Sequence, residues 1–376
     1  MLRNFARTTE RLRDTGGAKW AIHQRCRERQ QAGADIIELT IGEPDIPTDS
    51  ALIEVAARAM RDGRTGYSNG RGEPDLIDAL VERYRRRRTT INDNNVLCFP
   101  GTQTALFATM LGLTGEGDGV LVGDPFYATY EGVIRASGAH PVSVPLRKNN
   151  NFRLCAGDLE RAITPDCSVL LLNAPHNPSG AILDNGTIHA ISVLCEKYDL
   201  WMVCDEVYEE LVFEGRFCSP FDNEAFADRV IALSSISKSC AAPGFRSGWA
   251  IGPADFCDAI LPLSEAMLFG NQPFIADMTA YALRNPPGTA MRMRADYQRR
   301  SLIIANALDK IDGITPFRPE AGMFILADVT GLGLSGERFA WSLLEAGVAV
   351  MPGSSFGDNG DDLIRLSLTK SDEEIN

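Results

Sequence analysis

Residues 234–249 read SSISKSCAAPGFRSGW, and the strand-like VIALSS (230–235) runs straight into them. Lys238 stands there among small hydroxyl residues, and Arg246 follows eight positions later. Charged side chains usually lie on solvated faces, yet these neighbours are small, apolar and glycine-bearing. An amine buried beside a second cation has a depressed pKa and becomes a nucleophile toward carbonyls. Arg246 is expected to be that cation. Taken alone, the stretch fits a salt-bridged lysine equally well.

Outward from this stretch the chain is a run of strand–loop–helix units. NVLCFPG (95–101) feeds TQTALFATMLGL, and GVLVGDP (119–125) feeds FYATYEGVIRASG. SVLLLNAP (168–175), WMVCDEVY (201–208) and VIALSS are near-continuous apolar runs, the pattern of strands covered on both faces. GWAIGP (248–253) reads as one more strand. The fold class is therefore α/β, with a mostly parallel central sheet flanked by helices. Polar residues gather where these strands end: Gly101-Thr102-Gln103, Asp124 to Tyr127, Asn173 to Asn177, Asp205 to Tyr208, and Ser235 with Lys238. Ligands of open α/β sheets sit beyond the carboxyl ends of strands, so these ends nominate one site.

The chemistry follows from the residue types. Asp205, directly after the apolar WMVC, must be paired or hydrogen-bonded to be tolerated. A carboxylate facing a pyridine nitrogen keeps it protonated, and the protonated ring is the electron sink of pyridoxal 5′-phosphate (PLP). Tyr208 and Asn177 can hydrogen-bond the ring's 3-oxygen. Gly101, Thr102 and Gln103 at a helix start suit a phosphate, to which Ser235 adds a hydroxyl and Arg246 a guanidinium fork. Tyr127 can stack on the ring, although a lone Pro-Phe-Tyr is ordinarily core packing.

Composition limits the alternatives. The chain has 376 residues, 44% of them hydrophobic, enough for roughly two domains. Its formal charge of −13 argues against holding nucleic acid by general electrostatics. The basic run RYRRRR (83–88) is expected to be a solvated helix face. Nine scattered cysteines without a C-x-x-C point to reduced thiols in the cytoplasm. No apolar run has membrane-spanning length, and MLRNFARTTERLRDTGG (1–17) lacks the apolar core of a secretory leader. The four histidines show no metal spacing, so no metal is expected.

The flanks have a different texture. A helix is expected over 19–32, a turn at IGEPDIPT (41–48), a helix over 50–62, the loop GRTGYSNGRGEP (63–74) and a helix over 75–88. Beyond about residue 290, MRMRADYQRRSLIIANAL (291–308) reads as a long amphipathic helix, and GMFILADV (322–329) and DLIRLSL (362–368) as strands around a helix over 336–345. A large PLP-binding domain over 46–285 and a small α+β domain built from 1–45 and 286–376 are expected. At KSDEEIN (370–376) a last helix is expected to begin, with a disordered or missing tail after it.

These residues carry a resemblance. Asn173-Ala-Pro-His-Asn177-Pro-Ser-Gly180, Asp205-Glu-Val-Tyr208 and Ser235-Ile-Ser-Lys238 with Arg246 resemble, in order and spacing, the signature of the class I/II, fold-type I PLP-dependent aminotransferases. The likeness runs from GEPD (42–45) to IRLSL (364–368). It implies an aminotransferase moving an amino group from an L-amino acid to a 2-oxo acid through a Lys238 Schiff base with PLP, Lys238 acting as general base and acid. Lys238, Asp205 and Tyr208 would be catalytic. It further implies that the backbone of Gly42 contacts the substrate carboxylate, that Arg365 grips that carboxylate, and that Tyr67 reaches the phosphate of a neighbouring subunit, hence a homodimer with shared active sites. Pro243 and Phe245 depart from the more common threonine and tryptophan, which puts the local loop shape in question.

Within the family, KWAIHQR (19–25), MLFGNQPF (267–274) and PEAGMFILADV (319–329) resemble the arginine:pyruvate transaminase and aspartate aminotransferase subgroups. Glu43, Asp45 or Glu320 near the mouth would favour cationic side chains, and Asn271, Trp20 and Phe269 are candidates for the side-chain pocket. A PLP-dependent lyase or decarboxylase shares the scaffold. A PLP-binding regulator without turnover, which would carry an N-terminal DNA-binding module, is not expected. A nicotinamide oxidoreductase fails because GEGDG (115–119) precedes a strand instead of following one.

Overall fold

The computed structural model describes residues 5–13, 15, 17–268 and 270–375. Among these residues the strands, numbered in chain order, are β1 (Ile37–Glu38), β2 (Val96–Phe99), β3 (Gly119–Asp124), β4 (His140–Pro145), β5 (Cys167–Asn173), β6 (Trp201–Asp205), β7 (Val230–Ser235), β8 (Gly248–Ile251), β9 (Thr315–Phe317), β10 (Phe324–Asp328), β11 (Val348–Ala349), β12 (Met351–Pro352) and β13 (Leu363–Ser367). Seven of them form one sheet in the order β2-β8-β7-β6-β5-β3-β4. All its pairs are parallel except those of β8, which runs antiparallel to both β2 and β7. Strands β6, β7 and β8 are buried along nearly their whole length, as their apolar runs require.

The reversal of β8 shapes the carboxyl edge of the sheet. Because β8 is antiparallel, its first residues lie at the same edge as the last residues of β2 and β7: Gly248 stands opposite both Phe99 and Ser235. The segment between β7 and β8, which carries Lys238 and Arg246, is thus folded back over the carboxyl ends of the parallel strands.

A second sheet, β12-β13-β10-β9, is antiparallel throughout. The pair β1–β11 joins residues 37–38 to 348–349 in parallel, so the N-terminal segment packs with the C-terminal part of the chain. A core with Met323, Ile325 and Ile364 lies around this second sheet, while the first sheet is covered on two sides by separate cores holding Leu170 and Met202, and Val169 and Val203.

Helix boundaries follow local chemistry. Asp49 caps the helix Ser50–Arg61 by accepting from Ala51 N at 2.8 Å. Pro74 opens the helix Pro74–Arg85, where its missing N–H costs nothing. Three expectations need correction. The helix expected over 19–32 begins as a 3-10 turn (Ala18–Trp20) and is α-helical only over Ala21–Gln31, and a short helix, Arg7–Arg11, precedes it. The helix expected over 75–88 stops at Arg85. And RYRRRR is a solvated face only at Arg85 and Arg86: Tyr84 is fully buried, Arg88 is 4% exposed and stacked over Phe221, and Arg83 and Arg87 pair with Glu209, Glu210 and Glu206. Acidic residues after β6 lie against this run and neutralise it, which charge counting along the chain does not reveal. At the C-terminus a short helix, Asp372–Ile375, begins where one is expected.

Candidate active site

A cavity of about 230 Å³ opens where β2, β5, β6 and β7 end, under the second sheet. Eleven of the thirteen site residues expected from the sequence line it: Gly42, Thr102, Gln103, Tyr127, Asn177, Asp205, Tyr208, Ser235, Lys238, Arg246 and Arg365. Gly101 stands just behind the wall. Tyr67 is elsewhere, 92% exposed on its loop.

Lys238 lies in the four-residue helix Ile236–Ser239, capped by Ser235, whose hydroxyl accepts from Ser237 N at 3.3 Å. Its Nζ donates to Gly42 O at 2.7 Å. Burial pushes the Lys238 pKa down from 10.5 to about 8, against the opposing pull of Glu43, with Arg365 lowering it further. Arg246 contributes in the same direction but least among these groups. Desolvation, and not the neighbouring arginine, is the main reason that this amine is poised to lose its proton.

Asp205 ends β6 and is buried. Burial raises its pKa, opposed first by the hydrogen bond from Tyr130 Oη at 2.6 Å. The Val207 amide reaches its other oxygen at 3.4 Å. Tyr208, whose phenol burial holds well above its ordinary range, accepts from Asn177 Nδ2 at 3.4 Å. Tyr127 meets Tyr130 edge-on, with ring centroids 5.5 Å apart.

At the other end, Gly101 adopts φ +88°, and a Cβ there would overlap the Arg246 guanidinium. A Cβ on Gly248 would come within 2.7 Å of the Gly101 carbonyl carbon and Thr102 N. Two glycines therefore let two backbones and one guanidinium converge on the start of helix Thr102–Leu113. Arg246 donates to Pro243 O (2.8 Å) and Pro100 O (3.4 Å). Thr102 Oγ1 is buried with no partner among the described residues.

Arg365, on β13, is 2% exposed and sandwiched between Phe324 (3.8 Å) and Phe356 (4.4 Å). It donates to Thr40 O (2.6 Å) and Asn177 Oδ1 (3.1 Å), and its buried Nε has no partner among the described residues. Burial lowers its pKa to about 10. A guanidinium this enclosed, with no carboxylate beside it among the described residues, is built to receive an anion.

The donor set fits PLP. The unpartnered Thr102 hydroxyl, the first amides of its helix, Ser235, Ser237 and Arg246 suit a phosphate. A buried carboxylate, a phenol and an amide lie between them and Arg365, where a pyridine ring needs such partners. Among the described residues, Lys238 is the one lysine in the cavity.

Sequence reasoning missed Tyr130, Ser237 and Phe324, all of which line the cavity. Tyr130 is three residues from Tyr127 in the same turn, so both face one way, and that spacing was the available signal. Of the side-chain-pocket candidates, Trp20 lines the cavity, Asn271 is buried away from it, and Phe269 lies outside the described residues. Of the acidic candidates, Asp45 is engaged by Arg300 at 2.8 Å and Glu320 by Arg153 at 2.6 Å. Glu43 alone forms no ion pair among the described residues. Among those residues there is also no cluster able to hold a metal, and no helix is long and apolar enough to cross a membrane.

With this geometry in place, the chain belongs to the aminotransferase class I and II family, whose model matches residues 34–376. The family is PLP-dependent, and the protein is an aminotransferase, a transferase of nitrogenous groups. Among individual relatives it is 40% identical to the arginine–pyruvate transaminase of Pseudomonas aeruginosa, over 98% of this chain and 94% of that one. It is 30% identical to the aspartate/prephenate aminotransferase of Thermus thermophilus, over 100% and 96%. The solved aspartate aminotransferase of Thermus thermophilus with maleate superposes with a TM-score of 0.94 at 29% identity, covering 100% of this chain and 97% of that one. The fold is thus fold-type I, as the motifs implied.

Proposed function

We propose that PLP binds in this cavity, its phosphate at Gly101, Thr102, Gln103, Ser235 and Arg246, its ring under Tyr127 and between Asp205, Tyr208 and Asn177, with Lys238 as the residue that bonds it. When bound, the cofactor supplies an electron-withdrawing ring that stabilises charge at a substrate α-carbon. The protein's own groups do the rest. Arg365 and the Gly42 backbone hold the substrate carboxylate. Asp205, to whose carboxylate Tyr130 donates, would face the ring nitrogen and hold it protonated. Lys238 Nζ, a free amine in part near neutrality, takes and returns a proton at the α-carbon. The observation that carries this reading is that Lys238, Asp205 and Arg365 face one cavity of cofactor size.

We infer an amino donor whose side chain is not acidic. Among the described residues of one subunit the cavity holds three cations, Lys238, Arg246 and Arg365, each engaged in the roles above, so a cation for a second carboxylate would have to come from the second copy. Glu43, exposed and unpaired among the described residues, is close enough to raise the Lys238 pKa. Together with the likeness to an arginine–pyruvate transaminase, this favours arginine or lysine as donor and a 2-oxo acid as acceptor. Tyr67, on its exposed loop, reaches the phosphate site of a second copy in a homodimer. The large domain comprises 46–285 and the small one 1–45 with 286–376. All nine cysteines are free thiols, in keeping with a cytoplasmic enzyme.

The test is a donor screen. Protein loaded with PLP is mixed with each amino acid, and conversion of the bound cofactor to its pyridoxamine form is followed by absorbance. Arginine or lysine should lead, and borohydride should fix the label on Lys238. Label on another residue, or fastest conversion by aspartate, would overturn the corresponding part of the reading.

A further inference from the structure

Glu206 follows Asp205, and residues adjacent at a strand end face opposite ways. Asp205 faces the cavity and Tyr130. Glu206, 1% exposed, faces the other side, where Arg87 Nη1 donates to its Oε2 at 2.8 Å and Ser219 Oγ donates to its Oε1. Arg87 reaches further: Nη1 also contacts Glu209 Oε2 at 3.4 Å, and Nε donates to Asp222 at 2.6 Å. Its guanidinium is stacked among Phe221, Tyr84 and Phe217, at 5.0, 5.3 and 5.5 Å. Arg83 completes the arrangement by donating to Glu209 at 2.9 Å and Glu210 at 2.7 Å.

Glu206, Glu209 and Glu210 all belong to the segment 205–211 that carries Asp205 and Tyr208. On the cavity side, the Asp205 carboxylate has one short hydrogen bond, from Tyr130, and one long one, from Val207 N. The main chain at this strand end is held by its sheet neighbours, Asp205 pairing with Asn173 and Leu233 and its carbonyl accepting from Asn173 Nδ2 at 3.1 Å. The side-chain anchorage of the turn that follows lies behind it.

We propose that Arg87, through its guanidinium fork on Glu206, Glu209 and Asp222, is a positioning residue for the cofactor site: with Arg83 it clamps the turn after β6 and so sets the orientation of Asp205 and Tyr208 toward the cofactor ring. The inference rests on the reading of those two residues as ring partners. Stability alone does not require such a clamp, because well-packed apolar residues often replace buried ion pairs without loss. An ion pair with fixed fork geometry holds a direction, which apolar packing does not.

The test compares Arg87→Lys, Glu206→Gln and Ser219→Ala with the wild type in three measurements. These are the PLP dissociation constant by fluorescence quenching on the cofactor-free protein, the pH midpoint of the bound cofactor's visible absorbance, and the thermal midpoint. Lysine keeps the charge but cannot reach Glu206, Glu209 and Asp222 together. Arg87→Lys and Glu206→Gln should raise the dissociation constant about tenfold and move the absorbance midpoint by about half a unit or more, as misplaced partner groups do. Ser219→Ala, which leaves the ion pair intact, should move both readouts the same way by less. Variants with lowered thermal midpoints but wild-type affinity and absorbance midpoint would show a merely structural role and overturn the proposal. Should the first two variants fail to fold, Ser219→Ala decides by the same readouts. A wild-type protein that does not bind PLP would instead overturn the cofactor reading itself.

Discussion

The cofactor-free protein should expose its reactive amine to direct titration. Burial takes the Lys238 pKa from 10.5 to about 8. At about pH 7.5 an amine of pKa near 8 is roughly a quarter free base, whereas one near 10.5 is free at about one part in a thousand, so Lys238 gains about 200-fold in reactive form. The assay is competitive acetylation of the cofactor-free protein over a range of pH, with each lysine peptide quantified by mass spectrometry. Lys197 is an internal control: its hydrogen bond to Glu160 at 2.7 Å raises its pKa. Lys238 should label with a midpoint near 8, well below Lys197, and Glu43→Gln should lower that midpoint, since Glu43 helps to hold the proton on. A linked effect has a definite sign. The folded pKa lies below the unfolded one, so between about pH 8 and 10.5 the unfolded chain binds the additional proton and stability rises with pH through this window. Lys238→Met should flatten that rise. A Lys238 labelling midpoint at or above that of Lys197 would refute the argument that desolvation prepares this amine.

Two further outcomes are expected. Arg365→Lys keeps a charge between Phe324 and Phe356 but loses the fork, and should raise the donor KM about a hundredfold, near 3 kcal/mol, measured by steady-state kinetics with the best donor. Gly101→Ala forces a side chain into the Arg246 guanidinium at φ +88°; it should weaken PLP binding by at least about tenfold in fluorescence titration while leaving the Lys238 labelling midpoint in place.

Much of the site was legible because strand ends are where apolar runs meet isolated polar residues. WMVC followed by Asp205, and VIALSS followed by Lys238, announce both the strand and its terminal function. The helix start at Thr102 was equally visible, since Gly101 precedes an apolar-periodic run. What escaped depended on contacts across the chain. The arginines at 83 and 87 look solvated until the acidic turn after β6 is brought against them from more than a hundred residues away, and Arg88 until Phe221 covers it. Asp45 and Glu320 look available until Arg300 and Arg153 claim them. The nearby Arg246 looked sufficient to depress the Lys238 pKa, whereas desolvation, which no local spacing encodes, dominates. Tyr130 was hidden for another reason: one aromatic of a pair was read for its face, and the hydroxyl of the next went unread.

The antiparallel course of β8 has a consequence for how the molecule matures. The proposed phosphate cradle joins Pro100 and Gly101 to Arg246 and Gly248, a contact spanning 146 positions. Such a distant contact is slow to form, so a nascent chain has nothing with which to capture its cofactor until the last strand of the large sheet has emerged and turned back. Vitamin capture would then mark completed folding of that sheet, and a half-made enzyme would be left colourless.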